Sequence, residues 1–241
     1  MIQLIPAIDL IDGRCVRLCQ GDFGKVSSYD AHDPVENALR YEACGIKRLH
    51  LVDLDGARFS EPRNLRTLEA VASKVSCEIE WGGGLSGPQA LESALSAGAT
   101  QLIIGSKAAL EPRTFASWLE KYGPQHIILG ADIKNGEIAV KGWKESAPLS
   151  INALLSLFPS LQEAIVTDIS RDGMLEGPSF GLYESLMKDF PSVSFTASGG
   201  VSGIADIERL DDAGVPKAIV GKALYEGRIS LKDLERWSQN A

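Results

Sequence analysis

Two aspartates and two pairs of glycine turns are the residues of this chain whose types and spacing could do chemistry. Asp9 closes the apolar run that starts at Leu4, Asp132 closes the run that starts at His126, and each is followed four residues later by a glycine, Gly13 and Gly136. Gly83-Gly84-Leu85-Ser86-Gly87 returns as Gly199-Gly200-Val201-Ser202-Gly203. Likewise, Ala97-Gly98 with Ile103-Ile104-Gly105 returns as Ala213-Gly214 with Ile219-Val220-Gly221. Both motifs recur 116 residues on, from 83 to 199 and from 105 to 221, whereas the aspartates are 123 apart, so a short insertion separates the copies. Two carboxylates facing one space can serve as acid and base. Glycine at the end of a buried strand and before a helix lets backbone N–H groups approach an anion, to which the helix N-terminus adds partial positive charge. The bland alternative is that these residues only cap loops and make turns. Their symmetric recurrence argues instead for an acid–base pair and two phosphate sites.

The elements that must position these residues follow from hydrophobic period and punctuation. Apolar runs at Leu4–Asp9, Arg48–Val52, Glu78–Trp81, up to Ile103-Ile104, His126–Asp132, Glu163–Asp168, Val193–Ala197 and up to Ile219-Val220 read as eight buried parallel strands. Helical spacing follows each, over Pro34–Ala43, Pro62–Val75, Ala90–Leu95, Pro112–Tyr122, Ile151–Phe158, Phe180–Asp189, Ile204–Leu210 and Leu231–Trp237, and a serine at 86 and at 202 is expected to open its helix. Cys15–Leu18 reads as a short returning strand after the Asp12-Gly13 turn, and Gly24–Asp33 as a loop over the site. Strand, helix, strand units with parallel strands need crossovers. Eight of them predict an α/β, single-domain (β/α)8 TIM barrel with a twofold internal half-barrel repeat, the halves covering about 1–122 and 123–241. A doubly wound open sheet is the alternative, disfavoured because two open half-sheets would leave edges to cap.

In such a barrel the strand ends converge on one face. Asp9 and Asp132 then oppose each other across the mouth, with phosphate cradles at Gly83, Gly84, Gly105 and Ser106 and at Gly199, Gly200, Gly221 and Lys222. The implied ligand is a small molecule with a phosphate at each end, and the implied chemistry is proton shuttling, as in an isomerase. His50 and His126 lie inside strands and read as core or supporting residues.

Composition narrows the field further. A net charge of −8 over 241 residues leaves no basic stripe for nucleic acid or an anionic membrane. The four cysteines show no Cys-x-x-Cys spacing, so neither a metal site nor a disulfide framework is expected, and no cofactor is called for. Gly82-x-Gly84-x-x-Gly87 fits the dinucleotide fingerprint, but no acidic residue stands at the ribose position and the second copy has Ser198 in place of Gly82. No leader or long apolar run is visible, which predicts a cytoplasmic protein, and a monomer is expected.

Several stretches together carry a resemblance. Ile5-Pro6-Ala7-Ile8-Asp9-Leu10, Gly13-Arg14-Cys15-Val16-Arg17-Leu18, Gln20-Gly21-Asp22, Val52-Asp53-Leu54-Asp55-Gly56-Ala57, Gly142-Trp143, Thr167-Asp168-Ile169-Ser170-Arg171-Asp172-Gly173 and Ala197-Ser198-Gly199-Gly200-Val201 resemble the phosphoribosylformimino-5-aminoimidazole carboxamide ribotide isomerases of histidine biosynthesis over nearly the whole chain. The resemblance implies an Amadori rearrangement of an aminoaldose to an aminoketose. It also implies Asp9 as general base, Asp132 as general acid, Thr167 and Trp143 as orienting residues and Arg17 as a phosphate partner. Asp172 also fits a family acid position, which leaves two candidates for the acid. The sister cyclase that makes imidazole glycerol phosphate is the nearest rival, but it carries a cysteine before the Leu-Asp of its first strand, where this chain has Ala7-Ile8-Asp9. A phosphoribosylanthranilate isomerase would place a cysteine base where Asp9 stands, and use of both substrates would be decided by loops. A non-catalytic sugar-phosphate sensor would have little reason to keep both carboxylates.

Overall fold

The computed structural model describes residues 1–19, 22–28 and 33–239, with side chains for 1–16 and 33–239. The described strands are β1 (Gln3–Ile11), β2 (Arg14–Cys19), β3 (Asp22–Ser28), β4 (Arg48–Asp53), β5 (Glu78–Gly82), β6 (Gln101–Ile104), β7 (Ile127–Lys134), β8 (Glu137–Val140), β9 (Glu145–Ala147), β10 (Glu163–Asp168), β11 (Ser194–Ser198) and β12 (Lys217–Val220). Between and after them run α1 (Pro34–Ala43), α2 (Leu54–Phe59), α3 (Leu65–Ala72), α4 (Pro88–Ser96), α5 (Ser106–Leu110), α6 (Pro112–Tyr122), α7 (Ile151–Ser156), α8 (Phe180–Asp189), α9 (Ile204–Asp212), α10 (Lys222–Tyr225) and α11 (Leu231–Ser238). Strands β1, β4, β5, β6, β7, β10, β11 and β12 each pair in parallel with the next, and β12 returns to β1. The chain is a single-domain (β/α)8 barrel.

Alternation along the staves sorts their side chains into two cores. Inside the barrel, Ile5, Ala7, Ile128, Ile165 and Ile219 pack together with Ile103 against them. Residues of opposite parity, such as Leu4, Ile8, Leu49, Leu51 and Trp81, face outward and bury the helices' apolar stripes. Toward the strands' N-terminal ends the interior turns ionic: Arg48 Nη1 lies 2.5 Å from Glu163, and Lys217 Nζ lies 2.7 Å from the same carboxylate. Charges so deep persist only when paired in this way.

Two antiparallel hairpins leave the top of the barrel at equivalent places. β1 turns into β2 through Asp12 (φ 50°) and Gly13 (φ 72°), and β7 turns into β8 through Asn135 (φ 53°) and Gly136 (φ 83°). Both pairs have the left-handed conformations of a type I′ turn, which gives the glycine four residues after each aspartate its physical reason.

The structure departs from the sequence reading in several places. Residues 24–28 of the expected loop belong to β3 (Asp22–Ser28), because the outer edge of β2 offers a ladder of unpaired backbone groups; residues 29–32 lie outside the described residues. β8 and β9 were not foreseen, although Asn135-Gly136 is a strong hairpin signal. The second helix starts at Leu65 rather than Pro62, since Asn64 is turned toward Asp53. The short α2, α5 and α10 are additional. Gly87 and Gly203, not Ser86 and Ser202, occupy the N-caps of α4 and α9. Ser86 Oγ instead donates to the Ser60 carbonyl, and Ser202 Oγ to Asp206.

Candidate active site at the barrel mouth

β1 and β7 are four staves apart in either direction around the ring, so Asp9 and Asp132 stand on opposite walls. Both line one cavity of about 590 Å³ at the C-terminal ends of the staves. The same cavity is bordered by Gly83, Gly84, Gly105 and Ser106 on one side, by Gly199, Gly200, Gly221 and Lys222 on the other, and by Trp143, Thr167 and Asp172. The side chain of Arg17 lies outside the described residues.

Asp132 is the most elaborately held of these groups. Trp143 reaches back from the turn between β8 and β9 and donates its indole Nε1–H to Asp132 Oδ2 at 2.6 Å. That turn runs through three consecutive left-handed residues, Lys141 (φ 55°), Gly142 (φ 64°) and Trp143 (φ 66°). For two non-glycine residues such backbone is strained, and the strain points to a required side-chain placement. Thr167, beside Asp132 in the β7–β10 register, adds its hydroxyl. Enclosure raises the Asp132 carboxyl above the usual range; the Trp143 and Thr167 hydrogen bonds and the nearby His50 pull it back only in part. A carboxyl group that holds its proton more firmly than usual is suited to donating one.

The glycine pairs have a reason independent of any ligand. Gly83 has φ +102°, and a Cβ there would run into the carbonyl oxygen of Asp53. Gly200 has φ +87°, and its Cβ would meet Gly177 O at 2.5 Å. The first turn of each half is therefore clamped under the preceding loop. Gly105 (φ −102°) and Gly221 (φ −120°) need no left-handed freedom, and a Cβ on Gly105 would sit 3.3 Å from Gly130 O. They cap α5 and α10, whose N-termini have no side-chain cap.

Two carboxylates with no role assigned from sequence hold the clamping loops. Asp53, fully buried, accepts from the backbone N–H groups of Gly56, Arg63 and Asn64 and from Asn64 Nδ2. Asp168 accepts from Ser170 N and Oγ and from Ser179 Oγ. Burial works against its charge, but those serine contacts hold Asp168 below the ordinary carboxylate range.

His50 lies inside β4 as its sequence context suggested, whereas His126 stands just before β7 rather than within it. His50 lines the cavity, with Nδ1 2.6 Å from Glu80 Oε1, whereas His126 is exposed and meets Thr100 O at 2.9 Å. A histidine on an inward-facing stave position, three residues before the strand end at Asp53, was the available signal.

A family model described as histidine biosynthesis protein matches residues 3–230. The chain belongs to the histidine biosynthesis protein family. Within it, the chain is 50% identical over 237 residues to a 1-(5-phosphoribosyl)-5-((5-phosphoribosylamino)methylideneamino) imidazole-4-carboxamide isomerase of Bacteroides fragilis, covering 98% of this chain and 99% of the relative. It is 47% identical over 240 residues to the protein of the same name from Cytophaga hutchinsonii, covering 99% and 100%. The Flavobacterium johnsoniae protein of that name is 43% identical over 238 residues, covering 98% and 99%.

Proposed function

We infer that this protein is the histidine-biosynthesis isomerase that converts the phosphoribosylformimino aminoaldose to its aminoketose, an intramolecular aldose–ketose isomerisation. The observation that carries the reading is one cavity bordered by two opposed carboxylates and two glycine turns, in a chain whose full-length relatives carry that activity in their names. The substrate is a small molecule with a phosphate at each end, one held at Gly83, Gly84, Gly105 and Ser106 and the other at Gly199, Gly200, Gly221 and Lys222. Every group this scheme uses comes from one chain, which supports action as a monomer, and the pathway supports the cytoplasm.

The reaction needs only proton transfers. Asp132 donates a proton to the ribose ring oxygen as the C1–O bond breaks, leaving a protonated imine. Asp9 removes the proton from C2, and its electron pair neutralises the imine to give the enolamine. Loss of the C2 hydroxyl proton and gain of one at C1 complete the ketone, so atoms balance. The raised affinity of Asp132 for its proton supports the donor role, and Thr167 and Trp143 orient that carboxyl. Arg17 is assigned to a phosphate and Asp172 to substrate binding beside the second phosphate.

The test is a steady-state assay of the purified protein on the aminoaldose, with Asp132→Asn and Asp172→Asn beside the wild type. Turnover without any partner is expected, with Asp132→Asn lowering kcat and Asp172→Asn chiefly raising KM. If neither substitution touches kcat, the acid lies elsewhere. Conversion that required a glutaminase partner would point to the cyclase.

A further inference from the structure

His50 and Glu80 stand opposite each other on neighbouring staves β4 and β5. Glu80 is completely buried, and its Oε1 lies 2.6 Å from His50 Nδ1. Its other oxygen is 3.6 Å from Arg48 Nη1, and Arg48 in turn bonds Glu163 at 2.5 Å and Glu78 at 2.9 Å. Facing a carboxylate that Arg48 balances, an unprotonated Nδ1 would set two acceptors 2.6 Å apart; the proton is therefore assigned to Nδ1, and the ring's remaining nitrogen, Nε2, is left for the cavity that His50 lines. Ile103, Ile128, Ile165 and Ile219 fill the interior nearby without any polar atom. A buried carboxylate is a costly substitute for such a side chain, which argues against mere filling.

We propose that Glu80 is a positioning residue for the isomerisation: by holding the Nδ1–H of His50 it turns Nε2 to the cavity floor, where His50 hydrogen-bonds a sugar hydroxyl at the reacting carbons beside Asp132. The proposal rests on the isomerase reading above. Glu80 never meets the substrate and acts only through His50.

The chain has three histidines, so ¹⁵N-detected imidazole spectra with His50→Gln for assignment give a direct readout. The wild type is expected to show His50 protonated at Nδ1, and Glu80→Gln to shift that signal toward the Nε2–H tautomer. In steady state Glu80→Gln is expected to lower kcat about tenfold with KM within about twofold, and the double variant to be no slower than His50→Gln, because residues acting as a unit are non-additive. A wild-type His50 lacking the Nδ1 proton, an unchanged kcat in Glu80→Gln, or losses that multiply in the double variant would each overturn the proposal. If Glu80→Gln does not fold, the wild-type spectrum and the kcat of His50→Gln decide it, an unchanged kcat in the latter counting against the dyad. A wild type inactive on the aminoaldose would instead sink the isomerase reading, leaving the spectroscopic arm intact.

Discussion

The stretch from β1 to β6 and the stretch from β7 to β12 place the same parts around the cavity and secure them differently. At corresponding positions after their glycines, Ser106 Oγ accepts from the Lys141 N–H at 2.8 Å, while Lys222 Nζ donates to the Gly173 carbonyl at 2.9 Å. The serine thereby ties its turn to the strained segment that delivers Trp143 to Asp132. The lysine ties its turn to the loop that carries Asp172. Beneath them, Asp53 is held wholly by its own loop's amides and Asn64, and Asp168 by two serines. What is common is the backbone geometry that a closed barrel needs at each strand end. What differs is which side chains cross from one loop to the next.

The sharpest break of this symmetry is expected at the two carboxylates. Asp9→Asn is expected to cut kcat by at least about 10²-fold with little change in melting temperature or substrate affinity, checked by steady-state kinetics and calorimetry. A substrate analogue lacking one phosphate is expected to turn over more slowly even at saturation, whichever end is removed, because remote binding positions the reacting carbons. Full kcat with a single phosphate would show that one half suffices.

Next come the cradles themselves. Lys222→Met is expected to weaken binding by roughly 10- to 100-fold, the loss of a charge-assisted contact worth about 1.5–3 kcal/mol, and Ser106→Ala by only a few-fold. Titration of each variant with the substrate measures the difference. Gly83→Ala is expected to destabilise the fold by more than about 2 kcal/mol in chemical denaturation, since it combines a left-handed φ with a backbone collision. Gly105→Ala, where the neighbour has only to give a few tenths of an ångström, is expected to cost less than half of that.

The smallest effect is one of pH. Asp132 takes up its proton more readily folded than unfolded, so its contribution to stability is present at low pH and is lost as pH rises through its raised folded value. Asp132→Asn is therefore expected to melt higher than the wild type in calorimetry, with the advantage growing as pH rises above the ordinary carboxylate range. An advantage that shrank as pH rose would mean the enclosed carboxyl is not raised.

The sequence by itself determined the staves, the principal helices and the opposition of Asp9 to Asp132, because those depend on hydrophobic period and on glycines whose backbone role is local. Asp12-Gly13 and Asn135-Gly136 are legible for the same reason: a type I′ turn is built from two adjacent residues. What the tertiary structure alone decided are contacts between groups far apart in the chain. Trp143 meets Asp132 only because two short strands, β8 and β9, carry the intervening residues out and back. His50 meets Glu80 only because β4 and β5 run in register 30 residues apart, and Asp53 is a linchpin only because residues 56, 63 and 64 turn their amides onto it. Local pattern fixes which face a side chain takes. Which partner it finds there, and so how its proton is held, follows from strand register and loop packing, which no window of sequence contains.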